Sequence, residues 1–250
     1  MVVGQLNLRI AAVIQARCSS TRLPNKVLMP LPFPNGKPVL QIIIESLKKT
    51  ALIDKIVVAT SSKKEDDGIE KLCLGLGTDV FRGDQYDVQS RFISIAENYS
   101  LDHIIRCTGD NPVVDLHYLR KALESHLEGK FDYTKTSGLP LGTNFEIVKA
   151  ELLIARKFKR RSYNEKEHVT FHINRSGDFV KNYLAFNCTF SNIRMTLDYP
   201  QDYAFLSMLF SIVGQDFDLS RIQPLIERYP WLFSLNDTMI QKSTTKSSQV

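Results

Sequence analysis

The sequence predicts an α/β protein with three layers, in which helices cover both faces of a mostly parallel sheet. Short apolar runs alternate with longer segments whose apolar residues recur at helical spacing, a pattern typical of parallel sheets. Clusters of charged and polar residues follow several of the apolar runs, and open α/β sheets bind ligands beyond the carboxyl ends of their strands. The 250 residues suffice for one large domain or two small ones. We expect a single domain over residues 1–241.

The composition argues against several classes of protein. It is 43% hydrophobic and 24% charged, as in ordinary globular proteins. No basic segment precedes a long apolar core at the N-terminus, and no apolar run reaches about 18 residues, so we expect no secretory signal and no membrane partner. The four cysteines are widely spaced, which favours a reducing cytoplasm over zinc or disulfides. The net charge is only +5, so we expect no nucleic-acid partner.

The first half of the chain alternates between strand and helix. Short apolar runs predict strands at Ile10–Ile14, Lys55–Thr60, Asp79–Phe81 and His103–Cys107. Helical spacing predicts a first helix opened by Lys37-Pro38 and running to Ala51. Further helices are predicted with Asp66-Asp67 at the N-terminus, from Val88, and after Asp115.

The second half is less regular. We predict strands at Asp132–Thr136, Phe145–Val148, Phe179–Phe186 and Ile193–Leu197, and helices at Ala150–Phe158, from Pro200 and from Asp218. The run Arg156–Arg161 carries five positive charges in six residues and is typical of a solvated helix end. The polar tail at 242–250 lacks periodicity, which predicts disorder.

A cluster of cations and hydroxyl groups follows the first predicted strand. Arg17, Arg22 and Lys26 are separated by Ser19, Ser20 and Thr21. Arginine forms bidentate bonds to phosphate oxygens and lysine provides a point charge, so the loop suits a polyphosphate. A solvated basic turn is the alternative. The loop is not a Walker loop, since it contains no glycine.

Two aspartates follow other predicted strands. Asp110 lies in the segment Thr-Gly-Asp-Asn-Pro after His103–Cys107, and Asp198 follows Ile193–Leu197. The ordinary roles of such residues are a turn for Asp110 and a helix N-cap for Asp198, and the residues alone leave these roles open.

These segments resemble the cytidylyltransferases that activate acidic sugars. Residues 16–26 resemble their signature A-R-x-x-S-T-R-L-P-x-K, and the two aspartate segments resemble their motifs T/Q-G-D-x-P and R-x-T-x-D-x-P-x-D. The most similar branch is the spore-coat polysaccharide (SpsF-type) family, related to the CMP-KDO and CMP-sialic acid synthetases. Asn25 stands where that branch commonly has glycine, and asparagine also tolerates unusual backbone angles. The implied fold is that of the nucleotide-diphospho-sugar transferases (GT-A, Rossmann-like).

The resemblance also implies roles for individual residues. Asp110 and Asp198 match magnesium ligands, and residues 82–91 match the element R-G-x-x-x-D-V-x-x-R. Residues 165–170 resemble the E-H-V-T box, in which Glu167 and His168 would hold the acceptor or a subunit contact. A structural role is equally compatible with His168, and surface salt bridges are compatible with Arg82 and Arg91. The expected nucleotide-binding residues are Arg17, Ser20, Arg22, Lys26, Arg82, Asp87, Arg91, Arg106 and Thr108, with Arg22 and Lys26 catalytic; the expected acceptor-binding residues are Asn144, Glu146, Glu167 and His168.

We therefore expect a Mg²⁺-dependent nucleotidyltransferase that uses CTP to activate an acidic sugar for surface polysaccharide or glycan synthesis and releases pyrophosphate. We expect a cytoplasmic homodimer whose arm at Phe179–Phe186 packs against the second subunit. Two alternatives stay open: a sugar-1-phosphate nucleotidyltransferase that uses another nucleotide, and a catalytically silent nucleotide-binding or scaffold module. RNA binding through Arg156–Arg161 is disfavoured because aromatic residues for base stacking are not interleaved with the cations.

Overall fold

The computed structural model describes residues 8–239, so the predicted disordered tail at 242–250 lies outside the described residues. Within this range the strands are β1 (Ile10–Gln15), β2 (Pro30–Leu31), β3 (Lys37–Pro38), β4 (Lys55–Ser61), β5 (Asp79–Gly83), β6 (His103–Thr108), β7 (Tyr133–Ser137), β8 (Glu146–Lys149) and β9 (Lys181–Ala185). The α-helices are α1 (Val39–Leu47), α2 (Asp67–Gly75), α3 (Val88–Asn98), α4 (Leu116–Glu128), α5 (Ala150–Ile154), α6 (Tyr163–Glu167), α7 (Phe171–Arg175), α8 (Pro200–Val213) and α9 (Ile222–Arg228).

Seven of the strands form one sheet in the order β5-β4-β1-β6-β8-β7-β9. Neighbouring strands are parallel except around β8, which is antiparallel to both β6 and β7. This arrangement confirms the mostly parallel sheet. Gln15 at the end of β1 is in register with Ala59 of β4 and with Thr108 of β6. The carboxyl ends of the central strands therefore lie along one edge of the sheet.

Helices cover both faces of the sheet, which confirms the three layers. Along β1, Ala12 and Ile14 belong to one buried apolar cluster, and Ala11 and Val13 belong to another. This alternation is the consequence of the two-residue repeat of a strand that is buried on both faces. The first cluster includes residues of α1, α4 and α8, and the second includes residues of α3 and α5. No helix within residues 8–239 is long and apolar enough to cross a membrane.

Three predicted elements were wrong in extent or type. Lys37 and Pro38 form β3 in a hairpin with β2, so α1 begins at Val39 and ends before Ala51. The helix predicted at Ala150–Phe158 ends at Ile154. Ile193–Leu197 is not a regular strand, because its backbone bonds run to loops: Met195 N–H donates to the Leu141 carbonyl at 2.7 Å.

The basic run at Arg156–Arg161 follows the end of α5, and its residues 157–160 are exposed, which fits the predicted solvated helix end. Three of its cations form ion pairs with other segments: Arg156 with Glu165 at 2.5 Å, Lys157 with Glu97 at 2.7 Å, and Arg161 with Asp87 at 2.7 Å. The run therefore fastens the connection between α5 and α6 to α3.

Two buried histidines interact near the amino end of β6. His103 Nδ1 lies 3.0 Å from His126 Nε2, and His126 Nδ1 lies 2.8 Å from Thr134 Oγ1. Burial, together with the neighbouring His103, lowers the pKa of His126 to about 4 from an ordinary value of 6.5. Burial likewise lowers the pKa of His103. Both imidazoles are therefore neutral in the folded protein at neutral pH.

This pair predicts a loss of stability in mild acid. The unfolded chain takes up protons that the folded pair resists, so the stability present above about pH 6.5 declines as the pH falls toward about 4. Replacing His126 with Gln should remove up to about 1.4 kcal/mol per pH unit from the slope of the unfolding free energy in this window. Urea unfolding at several pH values measures the slope. His117→Gln, an exposed histidine on the same helix, is the control. An unchanged slope in His126→Gln would contradict the assignment.

Candidate active site

A cleft of about 450 Å³ opens at the carboxyl ends of β1 and β6. Its walls come from the cation-rich loop after β1, from the turn after β6, and from the segment that precedes α8. The three segments that the sequence singled out therefore meet in one place, at the sheet edge where a parallel sheet binds ligands.

Asp66 holds the cation-rich loop against β4. Its carboxylate is fully buried and accepts a hydrogen bond from Cys18 N–H at 2.7 Å and another from the Ser61 hydroxyl. We predicted that Asp66 would favour the N-terminus of a helix. It does occupy the N-cap position of α2, but its side chain makes no capping hydrogen bond. It instead satisfies backbone and side-chain donors of two other segments.

Asn25 turns the loop so that Lys26 enters the cleft. Its backbone has φ 57° and ψ 15°, in the left-handed region, and this conformation fits the interpretation that asparagine can replace glycine here. Its N–H donates to the Cys18 carbonyl at 3.0 Å. The chain then forms a short 3₁₀ helix at Lys26–Leu28, and Lys26 is only 7% exposed.

Gly109 brings the turn after β6 close to this loop. A Cβ atom at residue 109 would lie 2.9 Å from Ala16 Cβ and 3.2 Å from the Gln15 carbonyl oxygen. Gly109 does not have a positive φ. It lies in a turn in which Asn111 N–H donates to the Thr108 carbonyl at 3.2 Å, and its lack of a Cβ atom permits the close approach to the loop. Its N–H donates to the Gln15 carbonyl at 2.8 Å. Asp110 is thereby placed beside the loop.

A backbone hydrogen bond joins the third segment to the second. Leu197 N–H donates to the carbonyl of Asp110 at 2.8 Å, which sets Asp198 next to Asp110. Asp202 then shapes the turn into α8, because one of its oxygens accepts from the N–H groups of Asp198 and Tyr199, both at 3.0 Å. Asp202 is therefore the carboxylate in the first turn of α8. The N-cap of α8 is Tyr199, so the ordinary capping role suggested for Asp198 is wrong.

Asp202 is itself held by buried donors. Arg194 donates to it at 3.1 Å through Nη2, and Asn236 donates at 2.8 Å through Nδ2. A buried carboxylate is costly unless it is paired and hydrogen-bonded, and this one has both kinds of partner. No sequence pattern pointed to Asn236, which lies far along the chain.

Lys26 lies between the two aspartates of the cleft. Its ammonium donates to Asp110 Oδ2 at 2.6 Å and to Asp198 Oδ1 at 2.9 Å. Arg22 donates to the same oxygen of Asp198 at 2.7 Å, and its guanidinium lies 5.1 Å from the centroid of the Tyr199 ring. The two acids therefore come together, and Lys26 and Arg22 are bound to them.

This geometry fits a magnesium ion that is bound together with phosphates. The oxygens of Asp110 and Asp198 that contact the Lys26 nitrogen are also close enough to each other to bind one small cation. Within residues 8–239 no group of three acidic, histidine or cysteine side chains is arranged to hold a metal. Mg²⁺, however, commonly uses one or two carboxylates and completes its octahedron with waters and substrate phosphates. Asp110 and Asp198 suit that kind of site.

Arg91 forms a buried cationic wall of the same cleft. It is 2% exposed, its Nε atom has no hydrogen-bond partner, and one Nη atom donates to the Asp84 carbonyl at 3.2 Å. Burial lowers its pKa, and the charge of Arg17 lowers it further. No acidic side chain in the described part of the chain pairs with it. A buried guanidinium that has no acidic partner suits an anionic ligand.

Glu167 and His168 close the cleft on another side. Arg17 Nη2 donates to Glu167 Oε1 at 3.1 Å. Burial and the charge of Arg106 lower the pKa of His168, so its imidazole is neutral at neutral pH.

A second cavity of about 190 Å³ adjoins the cleft and shares Arg106, Thr108, Asn111 and Gly142 with it. Glu146 lies at this junction and accepts from Arg106 Nη1 at 2.7 Å. Burial opposes ionisation of Glu146, but the charge of Arg106 and other donors hold its pKa below the ordinary value. Glu146 is therefore an ionised partner of Arg106.

Arg82 and Asp87 lie away from both cavities. The Arg82 guanidinium is bound to Asp67 and Glu70, both at 2.7 Å, and so connects β5 to α2. Asp87 caps α3 by accepting from Ser90 N–H and pairs with Arg161 at 2.7 Å. The hydrogen-bonding groups of Arg82 and Asp87 are bound to other residues of the fold. The structure therefore does not place these two residues where we expected them to contact a nucleotide.

The structure brings together eleven of the other predicted residues around the main cleft: Arg17, Ser20, Arg22, Lys26, Arg91, Arg106, Thr108, Asp110, Glu167, His168 and Asp198. Asn144 and Glu146 line the second cavity instead. Sequence reasoning missed Lys135 and Asn111, which also line the second cavity. Asn111 lies inside a motif that we singled out only for its aspartate.

Comparisons with known proteins show the family to which the chain is related. The profile of a family described as cytidylyltransferase matches residues 11–209. The spore coat polysaccharide biosynthesis protein SpsF of Bacillus subtilis (strain 168) is 35% identical over 231 residues, 88% of this chain and 95% of that protein.

Solved structures share the fold. A cytidylyltransferase from Leptospira borgpetersenii superimposes with a TM-score of 0.84 at 26% identity and covers 94% of this chain and 100% of its own. A CMP:2-keto-3-deoxy-manno-octonic acid synthetase complexed with CTP has a TM-score of 0.60 at 14% identity, and covers 84% of this chain and 100% of its own. These findings confirm the resemblance and the predicted fold. The chain belongs to the cytidylyltransferase family, whose members are nucleotidyltransferases.

Proposed function

We propose that this protein uses CTP and Mg²⁺ to attach CMP to a sugar acceptor for surface polysaccharide synthesis, with release of pyrophosphate. The observation that carries the proposal is the cluster in which Lys26 and Arg22 bind Asp110 and Asp198 at the ligand-binding edge of the sheet. The family membership and the name of the Bacillus subtilis relative support the proposed reaction and its pathway.

The cations of the cleft would bind the triphosphate. Arg17 and Arg91 supply guanidinium groups, and Ser20 lies beside them on the cleft wall. Arg22 and Lys26 would neutralise the charge that develops as the acceptor oxygen attacks the α-phosphorus and pyrophosphate leaves. Mg²⁺ held by Asp110 and Asp198 would supply further charge neutralisation on the phosphate oxygens. Such a transfer depends on positioning and electrostatics, so no nucleophilic side chain is required.

We place the nucleoside near the end of β6. Arg106 and Thr108 line the cleft there, and Arg106 Nε donates to Gln15 Oε1 at 3.1 Å. Glu146 fixes the other side of the Arg106 guanidinium, which therefore presents a defined surface to a ligand.

We place the acceptor in the second cavity. It is lined on one side by the apolar residues Ile43, Val113 and Phe145, and it contains Lys135 and Asn144. Lys135 is partly buried, and its ammonium makes no hydrogen bond or ion pair with any residue in 8–239. Lys135 is thus a cation available to an acidic acceptor, and Glu167 and His168 would contact the acceptor where the cavity meets the cleft.

We further propose a cytoplasmic homodimer. All four cysteines lie in the described part of the chain and are free thiols, which suits a reducing compartment. β9 is an end strand of the sheet; Val180, just before it, and Tyr183, within it, are exposed. This edge supports the hypothesis that the arm at 179–186 packs against a second subunit. Sedimentation of a monomer at micromolar concentration would contradict the dimer.

A pyrophosphate-release assay tests the function. CTP, UTP, GTP and ATP are each offered with keto-acid sugars or with sugar 1-phosphates, with and without Mg²⁺. We expect release with CTP, a keto-acid sugar and Mg²⁺. Release only with a sugar 1-phosphate and another nucleotide would favour the alternative enzyme, and CTP binding without release across the panel would favour the silent module.

Arg22→Ala should slow turnover by about 10²–10³-fold, since one well-placed donor to a developing charge is typically worth that much. Circular dichroism should show an intact fold, because Arg22 lies at the cleft surface and its side chain is 31% exposed. Arg120→Ala removes an exposed arginine of α4 as the matched control. Near-normal turnover in a folded Arg22→Ala variant would refute the catalytic assignment.

Lys135→Met should raise the KM for an acidic acceptor by roughly tenfold and leave the KM for CTP nearly unchanged, because Lys135 lines the second cavity and not the cleft. Lys121→Met, which removes an exposed lysine of α4, is the control. An equal rise in both KM values, or no rise in either, would place the acceptor elsewhere.

A further inference from the structure

Lys26 occupies the position between the two carboxylates that a bridging cation would take. One ammonium contacts an oxygen of each acid, at 2.6 and 2.9 Å, and Lys26 and Asp198 are both buried. The group is also charge-balanced, since Lys26 and Arg22 offset Asp110 and Asp198. The pair of acids therefore already has counter-charges supplied by the chain itself.

We propose that Lys26 is an exchangeable counter-ion that competes with the divalent metal for Asp110 and Asp198, so that metal binds tightly only when nucleotide phosphates draw Lys26 away. The proposal rests on the proposed function, and it assigns Lys26 a second role in addition to phosphate binding. Under this proposal, Lys26 determines that the nucleotide binds before the metal does.

Electrostatics favours exchange over simultaneous occupancy. A dication placed against the same two oxygens would lie within a few ångströms of the ammonium, and like charges at such a distance in a partly buried site repel strongly. Arg22 also contacts Asp198, which adds a second repulsive charge. In the absence of nucleotide, we therefore expect the metal to bind weakly.

The lysine side chain is suited to such a move. Its ammonium is a compact point charge on a flexible four-carbon stem, whereas a guanidinium is fixed by the geometry of its donors. The cleft beside it is lined by Arg17, Ser20 and Arg91, which would hold phosphate oxygens within reach. Those oxygens offer the ammonium a new partner at the time when the carboxylates are needed for the metal.

Mn²⁺ binding to the protein without nucleotide tests the exchange. The free ion is titrated by electron paramagnetic resonance against wild type, Lys26→Met and Lys26→Gln. We expect each Lys26 variant to bind Mn²⁺ at least about tenfold more tightly than wild type, equivalent to about 1.4 kcal/mol. Mn²⁺ should also raise the melting temperature of the variants more than that of wild type, since binding to the folded state stabilises it.

Two further variants identify the site. Lys37→Met removes the charge of an exposed lysine that pairs with Glu45, and it should bind Mn²⁺ as wild type does. Adding Asp110→Asn to Lys26→Met should abolish the gain.

Equal or weaker Mn²⁺ binding in the folded Lys26 variants would overturn the exchange, whatever the enzyme does with CTP. Tighter binding in these variants, in a protein whose wild type releases no pyrophosphate from CTP, would support the exchange and count against the proposed function alone.

Discussion

The cleft depends on the sharing of Lys26 between two aspartates from distant parts of the chain. This contact requires the loop after β1, the turn after β6 and the turn into α8 to meet within reach of one lysine side chain. The parallel register of β1 and β6 brings the first two together. The bond from Leu197 N–H to the Asp110 carbonyl adds the third. If any of these segments moved away, buried charges would lose their partners, and that loss is costly.

Buried polar residues outside the cleft maintain this arrangement. Asp66 fixes the loop that carries Arg22 and Lys26, and Asp202 fixes the turn that carries Asp198. Each of these carboxylates uses its oxygens on backbone N–H groups that would otherwise be unpaired in the interior. The ligand-facing side chains are thus supported by residues that do not touch the ligand cleft, so the cations and acids can be held before any substrate arrives.

Much of the fold and part of the site could be predicted from local patterns. The apolar runs of β1, β4 and β6 indicate directly that these strands are buried. The motifs around Asp110 and Asp198 indicate which segments form the cleft. The patterns could not show that Arg82 and Arg161 are used in ion pairs, because an arginine in a sequence does not indicate which acid it meets. Nor could they show the antiparallel β8, since a short apolar strand looks the same in either direction. The close approach at Gly109 could not be predicted either, because contact between two loops is a tertiary property.

The central claim is that Asp110 and Asp198 act as one unit, and a double-mutant cycle on pyrophosphate release tests it most directly. Asp110→Asn, Asp198→Asn and the double variant are compared with wild type at saturating Mg²⁺. If both acids hold the same ion, the double variant should be no slower than the slower single variant, because the first substitution already removes the shared function. Losses that multiply in the double variant would show that the two acids act independently and would contradict the account.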